Sequence, residues 1–184
     1  MVTYTTSVTQ RDLEGILDLQ KRNLPANLSK DEFESQGFVT VQHSMKDLKK
    51  MNDIERHVIA RANDEVVAYL LAMTTLSRND IPVLVPMFKL LENLLYKGSK
   101  LSAQNYIVIG QACVDKLYRG EGVFDGIYRY YRERFHSKYD FALTEIATSN
   151  PRSIRAHQRV GFKSIHQYIA PDGQEWSIVV LDWK

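Results

Sequence analysis

A buried strand that leads through a glycine-containing turn into an amphipathic helix constrains this chain more than any other feature. Residues 106–114, YIVIGQACV, are almost continuously apolar, which is typical of a strand covered on both faces. The turn that follows contains two glycines and an arginine, and apolar residues then recur with helical spacing from Val123 to Phe135. The pattern predicts a strand, a turn and a helix at the centre of an α/β fold.

The turn between this strand and helix is suited to binding an anion. Such a turn exposes free backbone N–H groups at the positive end of the helix dipole, and glycines allow a diphosphate to approach them. Gly120 and Gly122 could equally serve turn geometry alone. The sequence contains no P-loop string, and Asp125 stands where a dinucleotide fingerprint needs its third glycine. Both of these nucleotide-binding motifs are therefore disfavoured.

The other segments predict a mixed order of helices and strands. Periodicity and turn signals predict helices over 10–24, 29–37, 44–51, 84–95 and 151–160, and strands over 3–9, 57–62, 65–73, 141–148, 162–169 and 176–183. The chain has 184 residues and shows no repeat or linker. We therefore expect one domain that spans residues 1–184.

Composition argues against several classes of function. The net charge is +2, from 24 basic and 22 acidic residues, so we expect no nucleic-acid partner and no membrane partner. The apolar runs are shorter than the roughly 20 residues that a membrane span needs. The one cysteine and the lack of a signal-peptide pattern predict a cytoplasmic protein. The five histidines are widely spaced, so we predict no metal site.

Two motifs at a suitable separation resemble a known family. Residues 119–124, RGEGVF, follow the pattern Arg/Gln-x-x-Gly-x-Gly/Ala, with Phe124 at the last position. Residues 145–162 look like a strand, a helix led by Asn150 and a closing Gly-Phe pair. In both motifs the chain resembles the GNAT superfamily of N-acetyltransferases, specifically over about residues 105–165. The resemblance implies a GNAT-like α/β fold, with a central mixed, mostly antiparallel sheet of about six to seven strands flanked by helices.

The resemblance also implies a site for acetyl-CoA as co-substrate. The residues that would contact its pantetheine and pyrophosphate are Cys113, Val114, Arg119, Gly120, Gly122, Val123, Phe124 and Asn150. Most would act through backbone groups, whereas Arg119 would add charge and Asn150 would contact the pantetheine arm. Phe124 departs from the family's Gly or Ala, and its ring could crowd the diphosphate unless it is directed into the core.

Glu145 and His157 are the candidate catalytic residues. Acyl transfer to an amine needs a base for the ammonium and often a proton for the leaving thiolate. Glu145 stands five residues before Asn150, where related enzymes often have a glutamate base; a strand glutamate paired with an arginine is the alternative. His157 occupies the place of the family's usual tyrosine acid, and could donate a proton, fill space or contact CoA. Cys113 is disfavoured as a covalent nucleophile, because cysteines are most often buried.

The sequence therefore predicts an enzyme, an acetyl-CoA-dependent N-acyltransferase. It would move an acetyl group to a primary amine by direct attack in a ternary complex. The acceptor would be a small-molecule or peptide amine, with residues 24–38 and 77–104 as candidate walls of its site. A non-catalytic CoA-binding sensor or interaction domain is the alternative, and an unrelated nucleotide-binding protein is a third hypothesis. A homodimer is compatible with the sequence.

Overall fold

Nine strands and five α-helices make up the part of the chain that the computed structural model describes, residues 1–32, 37–79 and 81–184. The strands are β1 Thr3–Thr6, β2 Val58–Ala62, β3 Glu65–Met73, β4 Leu95–Tyr96, β5 Ser99–Lys100, β6 Tyr106–Val114, β7 Phe141–Ala147, β8 Lys163–Ile169 and β9 Glu175–Asp182. The helices are α1 Gln10–Arg22, α2 Met45–Ile54, α3 Val85–Leu91, α4 Val123–Phe135 and α5 Pro151–Arg159.

Seven of the strands form one sheet in the order β1-β2-β3-β6-β7-β9-β8, while β4 and β5 pair with each other. Within the seven-stranded sheet, β6 and β7 run parallel and every other neighbouring pair is antiparallel. The predicted mixed, mostly antiparallel sheet of six to seven strands flanked by helices is therefore confirmed.

The sheet divides between its two central parallel strands. β6 and β7 pair only from Tyr106 opposite Phe141 to Val108 opposite Leu143, although both strands continue beyond that point. Gly110 and Gln111 of β6 together face one residue of β3, which is a bulge. A bulge bends its strand and increases the local twist. The bulge accompanies the divergence of β6 from β7, and a slot opens between their carboxyl-terminal halves.

Two hydrophobic layers cover the sheet. On one face, side chains of α1, α2 and α3 such as Ile16, Leu48 and Leu91 are fully buried in one cluster. On the other face, α4 buries Ile127 and Tyr131 in a second cluster. The helical spacing of these apolar residues is the pattern that predicted the helices.

Local capping signals fix where three of the helices begin. Thr9 and Asp12 form a capping box for α1, and Ser44 and Asp47 form one for α2. The Asn150 side chain accepts a hydrogen bond from the backbone N–H of Ser153 at the start of α5. The predicted starts of these helices are confirmed to within one residue.

The segment over 77–104 departs from its prediction. The helix predicted over 84–95 begins at Val85 but ends at Leu91, because residues 95–100 form the small β4–β5 hairpin. The segment packs at the amino-terminal end of β7, where Tyr96 contacts the ring of Phe141 and donates to Asp182. The hairpin therefore lies at the end of the sheet away from the turn after β6, and the role of the whole segment as an acceptor wall stays a prediction.

Two further helix predictions differ in extent. The first helix ends at Arg22 rather than Leu24, where Pro25 opens a short 3₁₀ turn. The helix predicted over 29–37 is helical at residues 30–32, and its part over 33–36 lies outside the described residues. Within the described ranges, no helix combines the length and the apolar character needed to cross a membrane.

Candidate active site

The turn between β6 and α4 adopts a conformation that only glycine accepts readily. Gly120 has φ of 86° and Gly122, the N-cap of α4, has φ of 74°. A Cβ atom built on either glycine would meet nothing within 4 Å. The backbone conformation, and not a lack of space, therefore requires these glycines.

The turn presents a row of free amides to solvent. Within the described part of the chain, none of the N–H groups of residues 120–125 donates to another protein group. Residues 120–122 are exposed. The positive end of the α4 dipole adds to the field of these amides. Free amides at the amino-terminal end of a helix are suited to bind an anionic group such as a diphosphate.

A cleft of about 530 Å³ adjoins these amides. Its walls are the end of β6, the turn at 118–125, one face of α5 and residues 37–39. Most of the residues predicted to bind the cofactor line this cleft, namely Cys113, Val114, Arg119, Gly120, Gly122, Phe124 and Asn150. Val123 differs, because its side chain is buried in the core while its amide lies in the free row.

Arg119 ties the turn to helix α1. Its Nε donates to the Val114 carbonyl oxygen at 3.0 Å, and its Nη2 donates to Asn23 Oδ1 at 2.6 Å. Burial lowers the pKa of the Arg119 guanidinium, and the positive charge of Arg152 acts in the same direction. Arg119 therefore holds the shape of the turn in addition to placing positive charge beside the free amides.

The ring of Phe124 packs against two aromatic side chains and is half-buried at the wall of the cleft. Its centroid lies 4.8 Å from that of Tyr128 and 5.2 Å from that of His157. Among the described residues the Phe124 amide has no protein acceptor, while its ring lines the cleft, so its effect on a bound diphosphate stays a prediction.

His157 is buried between α4 and Phe162, with 3% of its surface exposed. Its Nδ1 lies 2.8 Å from the Ser153 carbonyl oxygen, which only accepts, so Nδ1 carries the proton. Nε2 then accepts from the Tyr128 hydroxyl at 2.7 Å. Burial lowers the pKa of His157 to about 4. The ring is neutral near pH 7 and both nitrogens are engaged, so this geometry favours a packing role over an acid role.

Glu145 is partly buried on the face of the sheet opposite to helix α4. It lies on β7 two residues beyond Leu143, where pairing with β6 ends, and alternation places it on the face covered by α1 to α3. The Tyr168 hydroxyl donates to Glu145 Oε2 at 2.5 Å. Burial raises the pKa of Glu145, while the hydrogen bond from Tyr168 acts in the other direction. A carboxylate of this kind at the slot is a candidate general base.

Cys113 and Gln111 belong to the packed core beside the slot. Burial raises the pKa of the Cys113 thiol to about 12, so the thiol stays protonated near neutral pH and is a poor nucleophile. Gln111 accepts from the Tyr69 hydroxyl at 2.6 Å and donates to the Val41 carbonyl oxygen at 2.7 Å. Its amide therefore completes a protein network in this structure.

Residues 37–43, which we call the strap, line the cleft at one end and contact strand β6 of the sheet at the other. Asn150 Nδ2 donates to the Phe38 carbonyl oxygen at 3.3 Å, and Gln111 reaches Val41 of the same segment. Asn150, which the family resemblance assigned to the pantetheine arm, thus already holds the strap and caps α5.

A larger groove of about 900 Å³ lies beside the cleft, between α1 and the β2–β3 turn. Residues of both charge signs line it, and ion pairs such as Lys116 with Glu32 cross it. We place the candidate cofactor site in the smaller cleft, because the free amides of the turn lie there.

The sequence placed residues 37 and 38 of the strap in a predicted acceptor wall, but it did not single out Tyr168 or residues 39–43 as parts of the site. Tyr168 stands in a strand with an irregular register near His166, which hides the alternation that would place it beside Glu145. The strap has no periodic pattern, and its contacts are with residues distant in the chain. Among the described residues, no group of three or more His, Cys, Asp or Glu side chains is placed to hold a metal ion.

Comparison with solved structures shows the fold. The ribosomal-protein-S18-alanine N-acetyltransferase from Escherichia coli matches at a TM-score of 0.63 and 16% identity, over 99% of this chain and 94% of that one. The yncA protein from Salmonella typhimurium, solved with its cofactor acetyl-CoA, matches at a TM-score of 0.63 and 10% identity, over 99% of this chain and 94% of that one. The NatC complex bound to Gag peptide and CoA matches at a TM-score of 0.64 and 12% identity, over 100% of this chain and 99% of that one.

At these identities the likeness shows the fold, which is that of the GNAT N-acetyltransferases, as the sequence predicted. No family model matches the chain, and no curated protein matches its sequence.

Proposed function

We propose that this protein is an acetyl-CoA-dependent N-acyltransferase that moves an acetyl group to a primary amine. The observation that carries the proposal is the row of free amides at residues 120–125, exposed at the start of α4 beside the divided sheet. The fold shared with N-acetyltransferases supports the same activity.

The residues of the cleft fit the chemistry of CoA. The amides and Arg119 suit a diphosphate, because they supply hydrogen-bond donors and positive charge at one place. Pairing between β6 and β7 ends before Glu145, and we propose that the slot between the two strands connects the turn to this residue. We therefore assign the diphosphate to the turn, the pantetheine arm to the slot, and the thioester to the region where the strands diverge.

Glu145 is the proposed general base. A primary amine is mostly protonated near pH 7 and must lose a proton before it can attack. Glu145 would accept that proton, and the nitrogen would form a bond to the thioester carbonyl carbon. The carbon–sulfur bond would then break, and a second proton from the nitrogen would pass to the departing sulfur through solvent, so that CoA leaves as its thiol. Tyr168 would position the carboxylate, since its hydroxyl donates to Glu145 Oε2. Attack is direct, because the protonated thiol of Cys113 is a poor intermediate carrier.

The acceptor is an amine of a small molecule or a peptide, and it would approach from the face that carries Glu145 and Tyr168. The strap borders this face, since its Val41 carbonyl accepts from Gln111. The single buried cysteine suits a reducing compartment, so we propose a cytoplasmic setting.

Thiol release separates this proposal from a non-catalytic CoA-binding domain. The protein, acetyl-CoA and a panel of peptide and small-molecule amines are incubated, and free CoA thiol is measured. We expect release with at least one amine, and a fall in kcat of at least about a hundredfold in Glu145→Gln, because general-base catalysis typically contributes 10²–10⁴-fold. The affinity of Glu145→Gln for acetyl-CoA should stay within about twofold of that of the unmodified protein.

The matched variant is Gly122→Val, which strains the turn without touching Glu145. It should weaken acetyl-CoA binding, because a β-branched residue strongly disfavours positive φ. Acetyl-CoA binding without thiol release for any amine would favour the sensor hypothesis. An unchanged affinity for acetyl-CoA in a folded Gly122→Val protein would show that the turn is not part of the binding site.

A further inference from the structure

Helix α5 carries three arginines on the face that borders the cleft. Arg152, Arg155 and Arg159 stand at spacings of three and four residues, which places them on one side of the helix. Arg119 stands across the cleft from them, and Asp125 is the one acidic residue in the cleft wall within the described ranges. The chain as a whole has a net charge of only +2, so this concentration of positive charge is local.

Only one of the three arginines has an ion-pair partner in the described part of the chain. Arg159 pairs with Asp125 at 2.9 Å, and its guanidinium lies over the Phe124 ring. Arg152 and Arg155 pair with none of the described carboxylates. Like charges three residues apart on a helix repel each other.

The position of Arg152 is also unfavourable for the helix itself. It lies in the first turn of α5, which contains no acidic residue. The helix dipole disfavours a positive charge at this end. Helix stability therefore gives no reason for an arginine here, whereas an anion in the cleft would offset both the repulsion and the dipole effect.

CoA contains a phosphate besides its diphosphate, on the 3′ oxygen of its ribose. If the diphosphate is held by the amides of residues 120–125, the ribose phosphate must lie within about one sugar unit of that turn. Arg152 and Arg155 form the facing wall of the same cleft. Guanidinium groups suit this ligand, since they bind phosphate with paired, charge-assisted hydrogen bonds.

We propose that Arg152 and Arg155 bind the ribose 3′-phosphate of CoA and make the protein select CoA over its 3′-dephospho form. This inference rests on the proposed function, because it needs the diphosphate at the turn.

The test compares the affinities of CoA and 3′-dephospho-CoA by calorimetry at fixed low salt. We expect the unmodified protein to favour CoA by about tenfold or more, since tenfold corresponds to about 1.4 kcal/mol, within the range of hydrogen bonds to charged groups. In the double variant Arg152→Gln, Arg155→Gln, the ratio should fall to about one to two, while the affinity for dephospho-CoA changes less than about twofold. The Arg155 side chain is exposed, and the single variant Arg155→Gln should give an intermediate ratio of the two affinities.

The control is Arg129→Gln with Arg132→Gln, which removes the same charge from exposed positions on α4 outside the cleft wall. This variant should keep the ratio of the unmodified protein. Equal binding of the two ligands by the unmodified protein would overturn the inference and leave the proposed function intact. A matching loss of affinity for both ligands in the double variant would also overturn it, because the arginines would then act on the diphosphate. Binding of neither ligand would overturn both proposals.

Discussion

His157 illustrates how a side chain can match the position of a catalytic group while its surroundings favour another role. The imidazole donates to the Ser153 carbonyl, accepts from Tyr128, and contacts the rings of Phe124 and Phe162. These contacts join α4 to α5, the two helices whose amino-terminal turns border the cleft. The histidine therefore stabilises the arrangement of the two helices beside the cleft.

Replacement of His157 should reduce stability and leave turnover largely intact. For His157→Ala we expect a loss of about 2–4 kcal/mol in the free energy of unfolding, because a buried side chain is deleted and the Tyr128 hydroxyl loses its partner. The folded variant should keep kcat within about threefold. Urea unfolding and thiol release measure the two effects.

Tyr128→Phe is the companion variant, since it removes the same hydrogen bond and fills the same volume. It should lower the free energy of unfolding by about 1 kcal/mol. A hundredfold loss of kcat in His157→Ala at unchanged stability would instead support the acid role that its sequence position indicated.

At the scale of elements, the strap depends on where α2 begins. Residues 37–43 lead directly into Ser44, whose hydroxyl accepts from the Asp47 amide while the Asp47 carboxylate accepts from the Ser44 amide. The capping box therefore fixes the end of the strap as well as the first turn of the helix. The contacts of the strap with Gln111 and Asn150 rest on this anchor.

Ser44→Ala should lower the free energy of unfolding by about 1 kcal/mol, the usual cost of losing a side-chain N-cap. Chemical denaturation checks the value. Ser44→Asn keeps a capping oxygen and should recover most of the loss, whereas the exposed Ser137→Ala should have almost no effect. A Ser44→Ala protein as stable as the parent would show that tertiary contacts alone hold the start of α2.

At the scale of the whole molecule, three buried histidines couple folding to pH. Burial lowers the pKa of His43, His57 and His157 to about 4. In the unfolded chain each titrates near its usual value of about 6.5. Between these two values the unfolded state binds more protons than the folded state, so stability rises with pH. Glu145, whose pKa burial raises, acts in the opposite direction, but it is one group against three.

We therefore expect the free energy of unfolding to be nearly constant above about pH 6.5 and to fall as the pH drops toward about 4. Urea unfolding across this range measures the slope. His43→Leu should reduce the slope and keep or raise stability at pH 7, because within the described residues neither ring nitrogen of His43 has a hydrogen-bond partner. A slope unchanged in this variant would mean that His43 does not contribute to the pH dependence.

The sequence determined those elements whose cause is local. β6 and α4 have the predicted bounds, residues 106–114 and 123–135, because a continuous apolar run and a 3.6-residue period are properties of neighbouring residues. Gly120 and Gly122 marked the turn for the same reason, since positive φ is a constraint on single residues. These features were enough to place most of the predicted cofactor-binding residues along one cleft.

Only the tertiary structure decided what faces the slot. Period and spacing place Glu145 and His157 on elements, but they do not show that Glu145 meets Tyr168 across the intervening strand β9 or that both nitrogens of His157 are engaged. The division of β6 from β7 depends on pairing with a third strand, and the strap depends on contacts across more than 60 residues of chain. Such contacts form between segments that are distant in sequence, so no local pattern encodes them.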